Sequence, residues 1–210
     1  MVTAKDFFSP DEQKQIEATI REVEKTTSGE IVPLVVDASY DYPRAELIGA
    51  GSLSLATGIF LSWVFGGESI WTFLPLFLVG YPLFLMLIRF TPALKRRLIH
   101  PEEIAAEVEE KALVSFIEHG LHKTRDSTGI LILISLFEHR VQVLADQGIN
   151  EKVPAGTWDN LIKDVTAGIK SGTACEALCR EIRICGELLE EHFPARHDDT
   201  DELPNLIVEE

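Results

Sequence analysis

Two long stretches without a charged residue constrain this chain more than any other feature. They run from Leu47 to Phe65 and from Ile70 to Ile88, with only Gly66 to Ser69 between them. As helices, stretches of about 19 residues come close to the thickness of the hydrocarbon layer of a bilayer. Two buried helices of a soluble core are the alternative, but they would need more covering protein than this chain has. The sequence therefore predicts a transmembrane helical hairpin with spans at 47–65 and 70–88.

Basic residues near the ends of these stretches predict an orientation. One precedes the first stretch, Arg44, none lies in the turn, and four follow the second stretch: Arg89, Lys95, Arg96 and Arg97. Since Lys and Arg accumulate on the cytoplasmic side of membrane helices, we expect both termini and the soluble part in the cytoplasm. The same cluster is also able to contact anionic lipid head groups.

The remaining sequence combines helical and strand patterns. Ser9 and Pro10 begin a helix that should run to about residue 26, and apolar runs predict strands at Glu30–Val36 and Gly129–Phe137. A tight turn leads from the second run into Val141–Ala145, the other arm of a hairpin, and two further helices follow. A few strands with helices before and after them predict an α/β fold, an αβα sandwich with a small mixed sheet, interrupted by the transmembrane helical hairpin.

This interpretation divides the chain into four parts. They are the first helix and strand (1–36), the hairpin (47–88), the remainder of the soluble domain (100–193) and an acidic tail (194–210). The composition of the tail predicts an extended or disordered segment. The formal net charge of -15 argues against a nucleic-acid partner, because phosphate binding needs clustered Lys and Arg.

Cysteine and histidine give little support for a metal site. Cys175, Cys179 and Cys185 lie on one predicted helix, where we expect buried thiols rather than a zinc site that would need a fourth ligand. His119 and His122 would share a helical turn, but Gly120 between them argues against one. The sequence also has no nucleophile elbow, zinc-protease motif or phosphate-binding loop.

Acidic residues form the best candidate site. Asp126, Glu138 and Asp146 bracket the two central strands, and Glu30 and Asp37 lie at the ends of the first strand. Carboxylates gathered at strand ends offer the oxygen ligands that Ca²⁺ and Mg²⁺ prefer. The alternative is that these are ordinary solvated acids in the loops of a very acidic protein.

Three segments resemble the TPM-domain family. They are TSGEIVPLVV at Thr27–Val36, HKTRDSTGILILISLFEHRVQVLADQGI at His122–Ile149, and ELPN at Glu202–Asn205. The chain is similar in particular to a bacterial membrane-protein branch of that family, in which a two-helix membrane segment interrupts the domain after its first strand. The resemblance implies an αβα sandwich that is anchored to the bacterial inner membrane. It also implies divalent-metal binding and acid-phosphatase activity as in some relatives, or assembly and regulatory roles around membrane complexes as in others.

The resemblance also assigns motif residues. Arg125 and the segment from Asp126 to Gly129 match the R-D-x-x-G segment of the family, and Glu138 with Arg140 matches its acidic-x-Arg turn. Asp146 and Gly148 fall where the family commonly has a G-x-G, and here Ala145 and Gln147 surround them.

Two functions follow as hypotheses. The first is an interaction or accessory module that is anchored in the lipid bilayer and binds a membrane-protein partner. The second is a hydrolase similar to divalent-metal-dependent acid phosphatases.

Overall fold

A computed structural model describes residues 2–66, 69–124, 127–195 and 203–209. The chain divides into two compact units. The first contains Met1–Ser39 and Ala106–Glu210, and the second contains Tyr40–Ala105. The second unit includes both apolar stretches, and the first includes all the strands that the described residues form.

The described residues contain both helices and strands. In chain order the helices are α1 (Ala4–Phe7), α2 (Pro10–Val23), α3 (Pro43–Leu61), α4 (Ile70–Arg89), α5 (Pro92–Leu98), α6 (Pro101–Glu118), α7 (Gln147–Asn150), α8 (Thr157–Ser171) and α9 (Ala174–His192). The strands are β1 (Glu30–Val36), β2 (Gly129–Ser135), β3 (Arg140–Ala145) and β4 (Ile207–Glu209). A π-helical turn at Ser62–Gly66 extends α3, and a 3-10 turn at Leu121–Lys123 follows α6.

The strands form one mixed sheet in the order β3-β2-β1-β4. β1 is parallel to both β2 and β4, whereas β2 and β3 form the antiparallel hairpin that the sequence predicts. Every residue of β1 and β2 is buried, as expected for strands covered on both faces.

Helices cover the two faces of this sheet. Alternate strand residues such as Ile31 and Ile132 pack into a core with α2, α8 and α9, while Val32 and Leu131 pack on the other side against α6. Because side chains alternate along a strand, two continuous apolar strands require two cores. The predicted αβα sandwich with a small mixed sheet is therefore confirmed.

The described end of the acidic tail forms an edge strand. β4 pairs with Leu34–Val36 of β1, and the side chains of Leu206 and Ile207 pack against opposite cores. The Glu209 carboxylate lies 2.8 Å from Nζ of Lys111 and 2.9 Å from Nε2 of His119, both on α6. Of the two states predicted for the tail, these residues adopt the extended one.

The second unit contains an antiparallel pair of apolar helices. The Ser54 hydroxyl on α3 donates to the Phe77 carbonyl on α4 at 2.9 Å. A Cβ placed on Gly58 would lie 3.1 Å from the Phe73 ring, and one on Gly49 would lie 3.1 Å from Ile88. The two helices therefore run in opposite directions. Both helices begin at or near the first residue of the predicted spans. By length and composition both are able to cross a membrane.

Basic residues cluster after this pair. Arg89 lies in the last turn of α4, and Lys95, Arg96 and Arg97 lie in the last turn of α5. Lys95 forms a mostly buried ion pair with Glu46 of α3, with 2.6 Å between Nζ and Oε1. At least one of the four orientation residues thus also holds α5 against α3.

Candidate functional site

The carboxyl ends of β1 and β2 meet at one edge of the sheet, which is where α/β proteins commonly bind ligands. Backbone hydrogen bonds join the two ends. The amide of Leu136 donates to the Val36 carbonyl at 3.0 Å, and the amide of Phe137 donates to the Asp37 carbonyl at 2.9 Å. The turn between β2 and β3 is therefore fixed on the end of β1.

A buried carboxylate lies at the centre of this edge. Glu138 is only 4% exposed, and its Oε1 accepts the Ser39 amide at 3.0 Å. Its other oxygen accepts the Ser135 hydroxyl, and the Ser39 hydroxyl donates in turn to Ser135 Oγ at 3.0 Å. Buried polar groups need partners of this kind, because an unpaired one loses its bonds to water without compensation. We call these three residues the Ser–Ser–Glu cluster.

A cavity of about 290 Å³ opens beside the cluster. It lies between α1, α8 and the turn before β3, and apolar side chains such as Phe7, Ile134 and Ile169 form most of its wall. His139, Arg140 and Lys170 also line it. His139 has a backbone φ of 53°, a left-handed conformation that a tight turn requires. The arrangement is an apolar chamber with cationic groups on its wall.

Glu138 and Asp146, two of the three acids of the predicted metal site, lie apart in the structure. Glu138 lies in the turn before β3 and Asp146 directly follows β3, so a strand of six residues separates them. At the usual rise this is about 17 Å, whereas two carboxylates that share a Ca²⁺ each lie within about 2.6 Å of it. Asp126 lies outside the described residues. Glu138 and Asp146 thus belong to different ends of the hairpin, and a metal site that includes Asp126 stays a prediction.

The acids of the first strand are also separated. Glu30 is buried at the start of β1, and Asp37 follows its end, where the Asp37 carboxylate accepts the amide of Ala4. Asp146 caps α7 by accepting the Gln147 amide at 2.7 Å. Within the described ranges no group of three or more His, Cys, Asp or Glu side chains is arranged to hold a metal ion. The described carboxylates therefore do not fit a Ca²⁺ or Mg²⁺ site.

The motif residues from the resemblance are distributed similarly. A Cβ on Gly129 would lie 2.7 Å from the Leu121 carbonyl oxygen, so glycine is needed there for close packing of the backbone. Gly148 lies within α7, at the opposite end of the hairpin from Arg140. Arg125 lies outside the described residues. Of this set, the described structure places only Arg140 on the cavity.

Sequence reasoning missed the Ser–Ser–Glu cluster and the cavity. Ser135 could have indicated the cluster, because a hydroxyl at the end of an otherwise apolar buried strand needs a hydrogen-bond partner. The partner itself depends on β1 and β2 being neighbours, which the sequence does not specify.

The thiols are buried, as expected. Cys175, Cys179 and Cys185 are free and buried on the inner face of α9. Burial raises the pKa of Cys185 to about 12, and burial with the neighbouring Cys179 raises the pKa of Cys175 to about 12. Neither is therefore a reactive nucleophile at neutral pH.

Comparison with known proteins supports the family resemblance. A family model described as the TPM domain matches residues 91–181, a range that includes β2, β3 and α6 to α8. None of the curated proteins matches this chain. The NMR structure of BA42 protein from the psychrophilic bacterium Bizionia argentinensis is similar in fold, with a TM-score of 0.61, 23% identity and 100% of both chains covered.

Proposed function

We propose that this chain, which contains a TPM domain, is held on the bacterial inner membrane by α3 and α4. In this proposal both termini and the α/β unit lie in the cytoplasm. There the α/β unit serves as an interaction or accessory module of a membrane complex.

The exposure of the two apolar helices carries the proposal. The most apolar part of α4 has none of its residues buried, and in α3 with its π-helical turn the share is 28%. Phe60, Leu78 and Leu83 are each 60% exposed or more. Large apolar side chains in water cost about 1.5 to 3 kcal/mol each compared with burial, so a helix pair of this kind calls for a lipid environment.

The basic residues support the orientation. Arg44 precedes the apolar part of α3, and Arg89, Arg96 and Arg97 follow that of α4, whereas Ser69 at the other end has no described basic neighbour. This distribution favours a cytoplasmic location for the ends that lead into the α/β unit. The proposed insertion thus tethers the α/β unit to the membrane through the segments that flank α3 and α4.

The separation of Glu138 and Asp146 argues against the hydrolase, which is therefore the second hypothesis. A metal-dependent phosphatase needs a metal bound by converging oxygen ligands. Glu138 and Asp146 lie at opposite ends of β3, and hydrogen bonds within the fold occupy both carboxylates. An interaction role requires no such convergence.

Cysteine labelling in whole cells tests the membrane topology. Ser69→Cys places a thiol at the turn between α3 and α4, and Lys163→Cys places one on the exposed side of α8. A membrane-impermeant maleimide added to intact bacteria should label the first variant only, and both after lysis. Labelling of Lys163→Cys in intact cells would refute the cytoplasmic location. Extraction of the chain by alkaline carbonate would refute membrane insertion.

A second experiment separates the module from the hydrolase. In-cell crosslinking of the full chain should capture integral membrane proteins, and the same chain with residues 47–88 replaced by a Gly/Ser linker should capture fewer. The purified full chain should not hydrolyse phosphate esters in Ca²⁺ or Mg²⁺. Turnover that is lost in Asp126→Asn would instead favour the hydrolase, and crosslinks that do not depend on the helices would contradict the anchored module.

A further inference from the structure

The cavity beside the Ser–Ser–Glu cluster has the size of a small-molecule site. Its volume of about 290 Å³ is room for about ten water molecules and lies at the lower end of the range for ligand pockets. All its lining residues belong to the unit that contains the sheet, so the inference does not depend on how the chain meets a membrane.

The wall of the cavity is mostly apolar. Phe7, Ile134, Val141 and Ile169 border it, although each also packs on the core formed with α2, α8 and α9. A well-packed interior leaves few voids larger than a water molecule. Core side chains that border an open chamber are therefore available to an apolar ligand group.

Two cations border the same chamber. Arg140 begins β3 and Lys170 lies in the last turn of α8, and neither side chain has a hydrogen-bond or ion-pair partner among the described residues. The chain has 34 acidic residues against 19 Lys and Arg, so acidic partners are plentiful. The carboxylate in the same turn, Glu138, directs its oxygens to Ser39 and Ser135 instead.

We propose that this cavity binds a small organic acid. The ligand has a compact apolar body of about ten non-hydrogen atoms, which the chamber accepts, and one carboxylate or phosphate group. Arg140 offers a planar fork of donors that matches either group, and Lys170 adds a second positive charge. In this proposal the apolar wall contacts the body of the ligand, and the two cations bind its anionic group.

Methyl NMR of the full chain in detergent micelles tests this proposal. The probes are benzoate and phenyl phosphate, which differ in head group, with inorganic phosphate and neutral benzyl alcohol as controls. Ile134 and Ile169 report on the cavity, and Ile20 on α2 reports on the core away from it. Both cavity methyls should shift saturably with at least one of the two acids, and Ile20 should not.

Variants connect the shifts to the proposed contacts. Arg140→Gln should weaken the Kd at least tenfold, as expected for loss of a charge-assisted bond. Lys170→Gln should weaken it less, and Ile169→Phe should abolish binding by filling the chamber. Lys163→Gln is the matched control, because Lys163 is an exposed lysine on α8 that does not line the cavity. It should bind like the wild type.

Several results would overturn the proposal. One is the absence of saturable shifts with both acids up to about 10 mM, where even an inefficient ligand of this size should bind in part. Equal binding of benzyl alcohol would refute the role of the cations, and equal binding of inorganic phosphate would refute the role of the apolar wall. If Arg140→Gln fails to fold, Lys170→Gln and Ile169→Phe still decide the outcome, and unchanged binding in both refutes the site.

Discussion

Removal of the Glu138 carboxylate should destabilise the α/β unit strongly. In Glu138→Ala the Ser39 amide and the Ser135 hydroxyl both lose their acceptor, and Ser135 is only 1% exposed. Hydrogen bonds to a charged group contribute about 1.5 to 3 kcal/mol each. Ser39 is half-buried, so its amide regains some bonding to water. The free energy of unfolding should therefore fall by about 3 kcal/mol, near the lower limit for two such bonds.

Trp158 allows this loss to be measured in the α/β unit alone. It packs on the core, and its indole N–H donates to Asn150 Oδ1 at 2.9 Å. Replacing Trp63 and Trp71 by Phe leaves Trp158 as the single tryptophan of the chain. Urea unfolding followed by its fluorescence should show a midpoint lower by about 1.5 M in Glu138→Ala, for a slope of about 2 kcal/mol/M.

Two matched variants make this result specific. Glu22→Ala removes an exposed carboxylate from α2 and should change stability by less than about 0.5 kcal/mol. Glu138→Gln keeps the shape of the side chain and one acceptor oxygen. Because the Ser135 hydroxyl is free to rotate and accept a hydrogen bond from the new amide nitrogen, the free energy of unfolding should fall by only about 1 kcal/mol. If Glu138→Ala is no less stable than Glu22→Ala, the carboxylate does not fix the turn on β1.

Two further predictions concern the tail and the thiols. Burial alone would raise the pKa of Glu209, but Lys111 and His119 hold it below its ordinary value. Glu209→Gln should therefore cost about 0.5 to 1 kcal/mol near neutral pH, and this difference should shrink as the pH falls below about 4.3; a constant difference in urea midpoint would contradict the pairing. Because burial raises the pKa of Cys185 to about 12, Ellman's reagent at pH 8 should not modify Cys185 until the chain unfolds, and its rapid reaction in the native state would contradict its burial.

The sequence was most informative where one local pattern decides the structure. Glu30–Val36 was predicted as a strand and is β1. The predicted run from Gly129 to Phe137 is two residues longer than β2, because Leu136 and Phe137 turn towards carbonyls at the end of β1. The predicted helix to residue 26 ends at Val23, since the amide and hydroxyl of Thr26 both bond to the Val23 carbonyl.

The candidate site was less accessible because it depends on strand order. Asp146 and Glu138 are eight positions apart in sequence, yet the antiparallel register places them at opposite ends of β3. β4 was missed as a strand for a related reason. Three residues in an acidic tail are too few to indicate a strand, and their conformation depends on the edge that β1 offers at Leu34–Val36.

The position of the inserted helices follows from the parallel pairing of β1 and β2. Two neighbouring parallel strands must be joined by a long crossover connection, and here α6 lies in that connection and packs on the sheet. Tyr40–Ala105 enters the same connection before the packed part of α6, so it interrupts neither a strand nor a register. The entropic cost of a longer connection grows only with the logarithm of its length, about 0.6 kcal/mol for each doubling. An insertion between β2 and β3 would instead separate the hairpin that positions Glu138 and Arg140. The fold can therefore accept a helix pair at this point at little cost in stability, and the cluster and the cavity remain intact in the unit that contains the sheet.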